Sequence, residues 1–389
     1  MQDVSAYPAA HSWRPLRIAV VGMRGMPSNY SGIERVGEEL YPALVERGHE
    51  VTVFARPRNS LTDIADFRGV CVIRTGGIAW APLETLSQSL STFRRAAQAH
   101  RFDLVHLHAL APALIAAGYR ARRMPTILTV HGLDWQRARW KGLGSLVLKQ
   151  AERCGVRFAN EIIVVSTALQ EYYWTSYGRA TTVVHNALDF SESETAAVGP
   201  DLARYNLQPG QYILFVGRLV PEKRIDDAIN AFRSLKTDCK LAIVGSGPRR
   251  YTEYLQSLAQ PDPRVIFTGK LEQDEVRSLF KGAAAFVLPS ELEGLPLSLI
   301  EGIGYGVPAI VSDIPPHREL LGADGSNGLF FRVRDTTGLK MQFSRALSER
   351  EERRRVAREA QANLRARFSI KEMVNRTEQV FLRAAAARH

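Results

Sequence analysis

The segment PSELEGLPLSLIEGIGYGVP, residues 289–308, carries two carboxylates, Glu293 and Glu301, eight positions apart (301 − 293 = 8) around a Gly-Leu-Pro step and an apolar run. Proline suits the first turn of a helix, where its fixed φ is already helical and its missing N–H would be unpaired anyway. A helix starting near Pro296 therefore leaves Glu293 in the loop before it and turns Glu301 inward from its second turn. Such a helix end offers unpaired N–H groups and a partial positive charge, which suit a phosphate. Carboxylates beside that anion would repel it unless they accept hydrogen bonds from neighbouring hydroxyls, as from a ribose and a hexose. The combination points to a sugar nucleotide.

Cations fit the same reading. In GRLVPEKR, Arg218 follows Gly217 at a strand end and Lys223 lies five residues on, near a helix start. Open α/β sheets bind ligands at strand C-termini, so these two would neutralise a diphosphate and the charge that develops as it leaves. A plain surface pair is the alternative. His131 ends the run TILTV, ahead of Gly132, and should face the space between two sheets; a lone histidine there serves structure more often than chemistry. His106 and His108 stand two apart on one strand, where packing or a strand-end hydrogen bond is expected in preference to metal ligation.

Gly22, Gly25 and Gly32 lie in a strand-to-helix loop, either an ordinary turn or a place where backbone approaches phosphate. Gly245-Ser246-Gly247 resembles the start of a dinucleotide fingerprint, but Arg250 occupies its third glycine position, which argues against nicotinamide binding. The stretch WQRARWKGLGSLVLK, Trp135 to Lys149, interleaves tryptophans with Arg137, Arg139 and Lys141. It fits either a core-packed helix with a basic edge or the rim of an anionic membrane.

These residues need elements to hold them. LRIAVVG, EVTVFA, VCVIR, DLVHLH, TILTV, EIIVVS and TTVVH read as strands, as do YILFVG, KLAIVG, RVIFTG, AAFVLP, PAIVS and GLFF further on. Mostly uninterrupted apolar runs imply sheets covered on both faces, hence parallel strands with helices between them. The polar segment HNALDFSESETAAVGPD separates the two series. The chain is read as two successive doubly wound α/β domains, 1–187 and 206–367, a linker 188–205, and a closing helix 368–389. After Asp335 the pattern is helical, with Glu and Arg at helical spacing in a solvated, ion-paired stretch.

The 389 residues exceed what one core usually serves. A net charge of +11 favours polyanionic partners. Three widely spaced cysteines fit a reducing compartment and neither a disulfide framework nor a zinc site. The N-terminal residues lack the pattern of a signal peptide, and no apolar run has the length of a membrane span. A cytoplasmic protein, peripheral at the inner membrane face if membrane-bound, is the expectation.

Taken together, ELEGLPLSLIE, GRLVPEKR and the first-strand loop resemble the family 4 retaining glycosyltransferases of the GT-B fold, over about Leu16 to Phe368. The resemblance implies two Rossmann-like domains facing a deep cleft, with the terminal helix crossing back to the first. It implies that Glu301 binds ribose hydroxyls, Glu293 the transferred sugar, and Arg218 and Lys223 the diphosphate. Gly32 would lie near that diphosphate and His131 against the sugar. Backbone of Lys270 and Leu271 would hold the base, and backbone N–H groups of Gly294 and Leu295 would complete the phosphate or sugar site. No metal or other cofactor is implied beyond the nucleotide-sugar donor. Ser31-Gly32 and His185-Asn186-Ala187 depart from the family's usual paired glycines and Asn-Gly.

The function so read is transfer of a hexose-type sugar to a hydroxyl of a lipid-linked or polysaccharide precursor, as in exopolysaccharide biosynthesis. A sugar-nucleotide epimerase or hydrolase on the same fold is the alternative. Nucleic-acid binding rests on charge alone, with no helix-turn-helix, zinc or stacking-sheet signature, and is not expected.

Overall fold

The structure is a computed structural model that describes residues 14–27, 32–56, 66–76, 81–96, 101–140, 142–190 and 201–387, without the side chains of 81–86 and 201. Its first half is an eight-stranded sheet. The strands are β1 (Arg17–Val21), β2 (Glu50–Ala55), β3 (Asp66–Phe67), β4 (Val70–Arg74), β5 (Leu104–His108), β6 (Thr126–Val130), β7 (Glu161–Val164) and β8 (Thr182–Val183), in the order β3-β4-β2-β1-β5-β6-β7-β8. Every residue of β5 and β6 is buried, as strands covered on both faces must be. The covering helices are α1 (Gly32–Glu46), α2 (Ala81–Ala96), α3 (Ala116–Ala121), α4 (Leu143–Phe158) and α5 (Thr167–Tyr177).

The second half, after α6 (Asp201–Arg204), is a six-stranded sheet of β9 (Tyr212–Val216), β10 (Lys240–Val244), β11 (Val265–Gly269), β12 (Ala285–Leu288), β13 (Ala309–Ser312) and β14 (Leu329–Phe331). Its order is β11-β10-β9-β12-β13-β14, parallel throughout. The helices are α7 (Ile225–Arg233), α8 (Arg249–Ala259), α9 (Gln273–Gly282), α10 (Leu297–Gly304), α11 (Pro315–Leu321), α12 (Thr336–Ser348), α13 (Arg350–Arg367) and α14 (Ile370–Ala386).

The apolar runs read as strands all form strands. Among the described residues the one addition is β3, two residues antiparallel to β4, joined to it through Arg68 and Gly69, both with positive φ. Two residues are too few to carry a periodic signal.

In both sheets the chain winds outward in one direction from a central strand and then resumes on its other side. The reversals fall between β1 and β5, and between β9 and β12. Loops leaving such adjacent strand ends diverge and open a crevice there. On α13, Arg355 pairs with Glu352 at 2.8 Å, as expected for a solvated, ion-paired face. Ser369 caps α14, whose Val374, Val380 and Phe381 join Ile18, Val20 and Leu40 in one buried cluster. The last helix thus completes the core of the first half, and His49 with Glu378 (2.9 Å) fastens it.

Candidate active site

In the second half, the chain leaving β12 is tied to the chain leaving β9. The N–H of Glu291 donates to the carbonyl of Glu222 at 2.9 Å, in the single 3-10 turn Pro221–Lys223. This brings the Lys223 ammonium against Glu293, to which it donates a hydrogen bond. Their side chains are only 12% and 10% exposed. Burial pushes the Glu293 carboxyl up, but the Lys223 charge and hydrogen bond outweigh it and hold the group below the usual carboxylate range.

α10 begins at Leu297, with Pro296 as its extended N-cap one position ahead of the first helical residue that proline most often takes. Glu301, on its second turn, is 3% exposed and accepts two hydrogen bonds of 2.9 Å at Oε1, from Gln273 Nε2 and Arg35 Nη1. Gln273 opens α9, so the segment that follows β11, with Lys270 exposed and Leu271 half-buried, leads directly to this carboxylate.

Arg218 is half-buried beyond β9. Burial lowers its pKa, and Arg137 and Arg139 from the first half lower it further. The neighbouring Gly245 and Gly247 have a structural reason. A Cβ on either would fall 1.8 Å from the Gly217 carbonyl oxygen or 1.9 Å from that of Leu219, so the loops after β9 and β10 pass only without side chains.

The first half presents a different edge. His131 follows β6 and is half-buried, with Nε2 2.9 Å from His108 Nδ1. Burial drops the His131 pKa to about 4 and that of His106 to about 3, so both rings are neutral near pH 7. Gly22, at φ +104, is where the loop after β1 crosses the end of β5: a Cβ would lie 2.3 Å from the His108 carbonyl oxygen. The loop is then tied to α1 by Arg24 N–H donating to Glu34 Oε1 at 2.9 Å.

Among the described residues, three of the contacts between the halves bear on the site. A Cβ on Gly294 would stand 2.0 Å from the His131 carbonyl oxygen, so the loop of Glu293 touches the end of β6 only because residue 294 is glycine. A Cβ on Gly32, the first residue of α1, would stand 2.7 Å from Leu297 Cδ1, which sets the N-termini of α1 and α10 together. Arg35 to Glu301 is the third contact.

Of the residues singled out by sequence, Lys223, Glu293, Gly294, Leu295 and His131 converge at one point. Glu301 with the Lys270–Leu271 segment forms a second, and Gly32 adjoins the start of α10. Ser31 and Lys141 lie outside the described residues. His185 bonds Glu319 of α11 at 2.7 Å and so links the halves at the hinge.

Sequence reasoning missed Arg35, Gln273 and Tyr41. Arg35 and Glu301 are 266 residues apart, and only position within the first turn of α1 hinted at a site role. It left Arg137 either on the basic edge of a core-packed helix or at the rim of an anionic membrane. Instead Arg137 pairs with Asp134 at 2.9 Å and stands 3.6 Å from the space a Gly132 side chain would fill, at the junction of the halves. The tryptophans turn inward too: Trp135 donates to buried Glu152 at 3.0 Å, and Trp140 packs half-buried against the core. The exposed apolar residues of this region are Leu143, Leu146 and Val147.

Two doubly wound sheets whose switch-point edges face each other, one lined with paired charges, define the GT-B class of glycosyltransferase. The family described as "Glycosyl transferases group 1" matches residues 204–363, and "Glycosyltransferase Family 4" matches residues 30–192. The chain belongs to the family 4 glycosyltransferases. It is 27% identical to N-acetyl-alpha-D-glucosaminyl L-malate synthase of Bacillus anthracis, over 93% of this chain and 96% of that one. Its fold is shared with sucrose-phosphate synthase from Thermosynechococcus elongatus (TM-score 0.81, 21% identity, 96% and 100% of the chains). It is shared also with HepE from Anabaena in complex with UDP and glucose (TM-score 0.77, 17% identity, 94% and 99%).

Proposed function

We propose that this glycosyltransferase moves a hexose-type sugar from a nucleoside diphosphate to a hydroxyl of a lipid-linked or polysaccharide precursor, with retention and without a metal ion. The observation that carries the reading is the buried Lys223–Glu293 pair set beside Gly294 where the halves touch. A carboxylate kept ionised in a closed site accepts sugar hydroxyls, while Lys223 and Arg218 receive the charge of the departing diphosphate. Those fixed cations do the work a metal would do, and catalysis rests on positioning. Glu301, already accepting two N–H bonds, is built to accept the hydroxyls of a ribose. Gly32, the N–H groups of Gly294 and Leu295, and the backbone of Lys270 and Leu271 complete the donor site. HepE holds UDP and glucose on the same fold.

On this reading residues 1–187 take the acceptor, 206–367 hold the donor, 188–205 link them and 368–389 fasten the two. Arg137 and Arg139, electrostatically coupled to Arg218, supply cations from the acceptor half and favour an acceptor bearing a negative group.

A thermal-shift series over nucleoside diphosphates and their sugars tests the donor assignment. One base should stabilise the wild type by mass action, and Glu301→Gln should lose about tenfold in its affinity. No shift with any nucleotide overturns the reading, as does an epimerised donor formed with no acceptor present.

The outer face of α4, with Leu143, Leu146 and Val147 followed by exposed Arg153 and Arg157, fits an anionic membrane surface at the inner face. Among the described residues no helix is long and apolar enough to cross a membrane. Serine at 143, 146 and 147 should abolish co-sedimentation with phosphatidylglycerol vesicles; unchanged binding removes this part of the proposal.

A further inference from the structure

Behind His131 the first half buries a continuous line of polar groups drawn from α1, β5 and β6. Thr129 Oγ1 lies 2.6 Å from His106 Nε2, and His106 Nδ1 lies 2.9 Å from the Tyr41 hydroxyl. That hydroxyl bonds His108 Nε2, and His108 Nδ1 reaches His131 Nε2 at 2.9 Å. Thr129, His106, Tyr41 and His108 are all buried, and Phe381 of α14 closes the far side of the His106 ring at 5.0 Å.

Four hydrogen bonds join five groups, and each bond needs one proton. A neutral imidazole has one N–H and one bare nitrogen, and a hydroxyl has one proton. The line can therefore run with every donor pointing toward His131, with every donor pointing toward Thr129, or with both histidines donating to Tyr41, which leaves the buried Tyr41 O–H unpaired. If the donors point toward Thr129, its own O–H is left over, and among the described residues Thr129 Oγ1 has no second hydrogen-bond partner. An unpaired buried donor costs about 1–3 kcal/mol. If they point toward His131, the left-over proton is His131 Nδ1–H, on a half-buried ring at the junction of the halves, the one ring of the line that is not fully buried. Only this direction uses every buried proton.

We infer that Thr129, His106, Tyr41 and His108 are positioning residues that fix His131 as its Nδ1–H tautomer, making it a hydrogen-bond donor to an oxygen of the bound sugar. The direction is Thr129 to His106, His106 to Tyr41, Tyr41 to His108 and His108 to His131. No net charge is buried, and no proton needs to move during turnover. The role toward the sugar rests on the glycosyl-transfer reading, whereas the tautomer does not.

Two-bond 1H–15N spectra of histidine-labelled full-length protein at pH 7.5 test it. His106, His108 and His131 should all show a protonated Nδ1, against the Nε2–H form that free neutral imidazole side chains prefer. A wild-type His131 protonated at Nε2 overturns the inference without need of any variant. In His108→Phe, His131 loses the proton that held Nε2 as an acceptor, so its Nε2–H form should appear and transfer should fall about tenfold, one hydrogen bond's worth. In Tyr41→Phe the break lies further back. His108 Nε2 loses its donor there, so the bias along the line weakens: part of His131 should turn to Nε2–H, and transfer should fall by a smaller factor than in His108→Phe. A role in packing alone would leave the His131 tautomer unmoved in both variants, and that outcome also overturns the inference. Should no sugar nucleotide prove to be a substrate, the spectra still decide the tautomer.

Discussion

The two strand-end edges that meet at Gly294 are stabilised in opposite ways. On the second sheet, charge answers charge: Lys223 holds Glu293, and Glu301 waits on Gln273 and on Arg35 from across the junction. On the first sheet the groups behind His131 are neutral, and hydrogen-bond direction does what charge does opposite. The difference fits what each edge would bind in the proposed reaction. A diphosphate needs cations, which cannot stay buried unpaired and so arrive with carboxylates that are themselves used as hydroxyl acceptors. A sugar hydroxyl needs a donor or an acceptor of definite kind, which a neutral imidazole supplies once its tautomer is set.

Breaking the charged edge should do the most damage. Lys223→Ala leaves the Glu293 carboxylate buried without its cation, which for such pairs costs about 3–5 kcal/mol of stability. Loss of a transition-state donor costs about 100- to 1000-fold in turnover. Pairing it with Glu293→Gln separates the two effects: chemical denaturation should return toward the wild-type midpoint while transfer stays lost. Recovery of transfer in the double variant would show that Lys223 serves stability alone.

Gly294→Ala strikes the seam between the edges. Its methyl would sit 2.0 Å from the His131 carbonyl oxygen, so the halves must part or strain, at about 1–3 kcal/mol. A larger radius of gyration by small-angle scattering is expected, with each half still folded. An unchanged radius together with unchanged turnover would mean that this contact does not govern closure.

An effect that is nil at neutral pH is acid sensitivity. Burial lowers the pKa of His106 to about 3 and of His131 and His317 to about 4. Between those values and the ordinary value near 6.5 the unfolded chain binds more protons than the folded one, so stability rises with pH through that window. The contribution is complete above it and lost as pH falls toward about 4. Denaturation midpoints should therefore drop from pH 7.5 to pH 5 and stay flat above 7. His317→Asn, on the charged side, should remove part of that slope and leave the share of the neutral side.

Much of this was legible in the chain. The strands came from uninterrupted apolar runs, and the start of α10 from Pro296, because such signals act within a few residues. The eight-residue spacing of Glu293 and Glu301 placed one before a helix and one inside it for the same reason. Trp135 and Trp140 were harder: a basic, aromatic stretch has the same composition whether it faces lipid or a buried Glu152.

What the amino-acid sequence by itself determined is thus the kind of each element and the carboxylates and cations at its end. Only the tertiary structure decided that Glu301 answers to Arg35, that Gly294 rests on His131, and that Tyr41 stands between two histidines of β5. Periodicity and proline specify backbone over one or two turns. Contacts across 67 or 266 residues depend on how separately specified layers stack and twist, which no local pattern encodes.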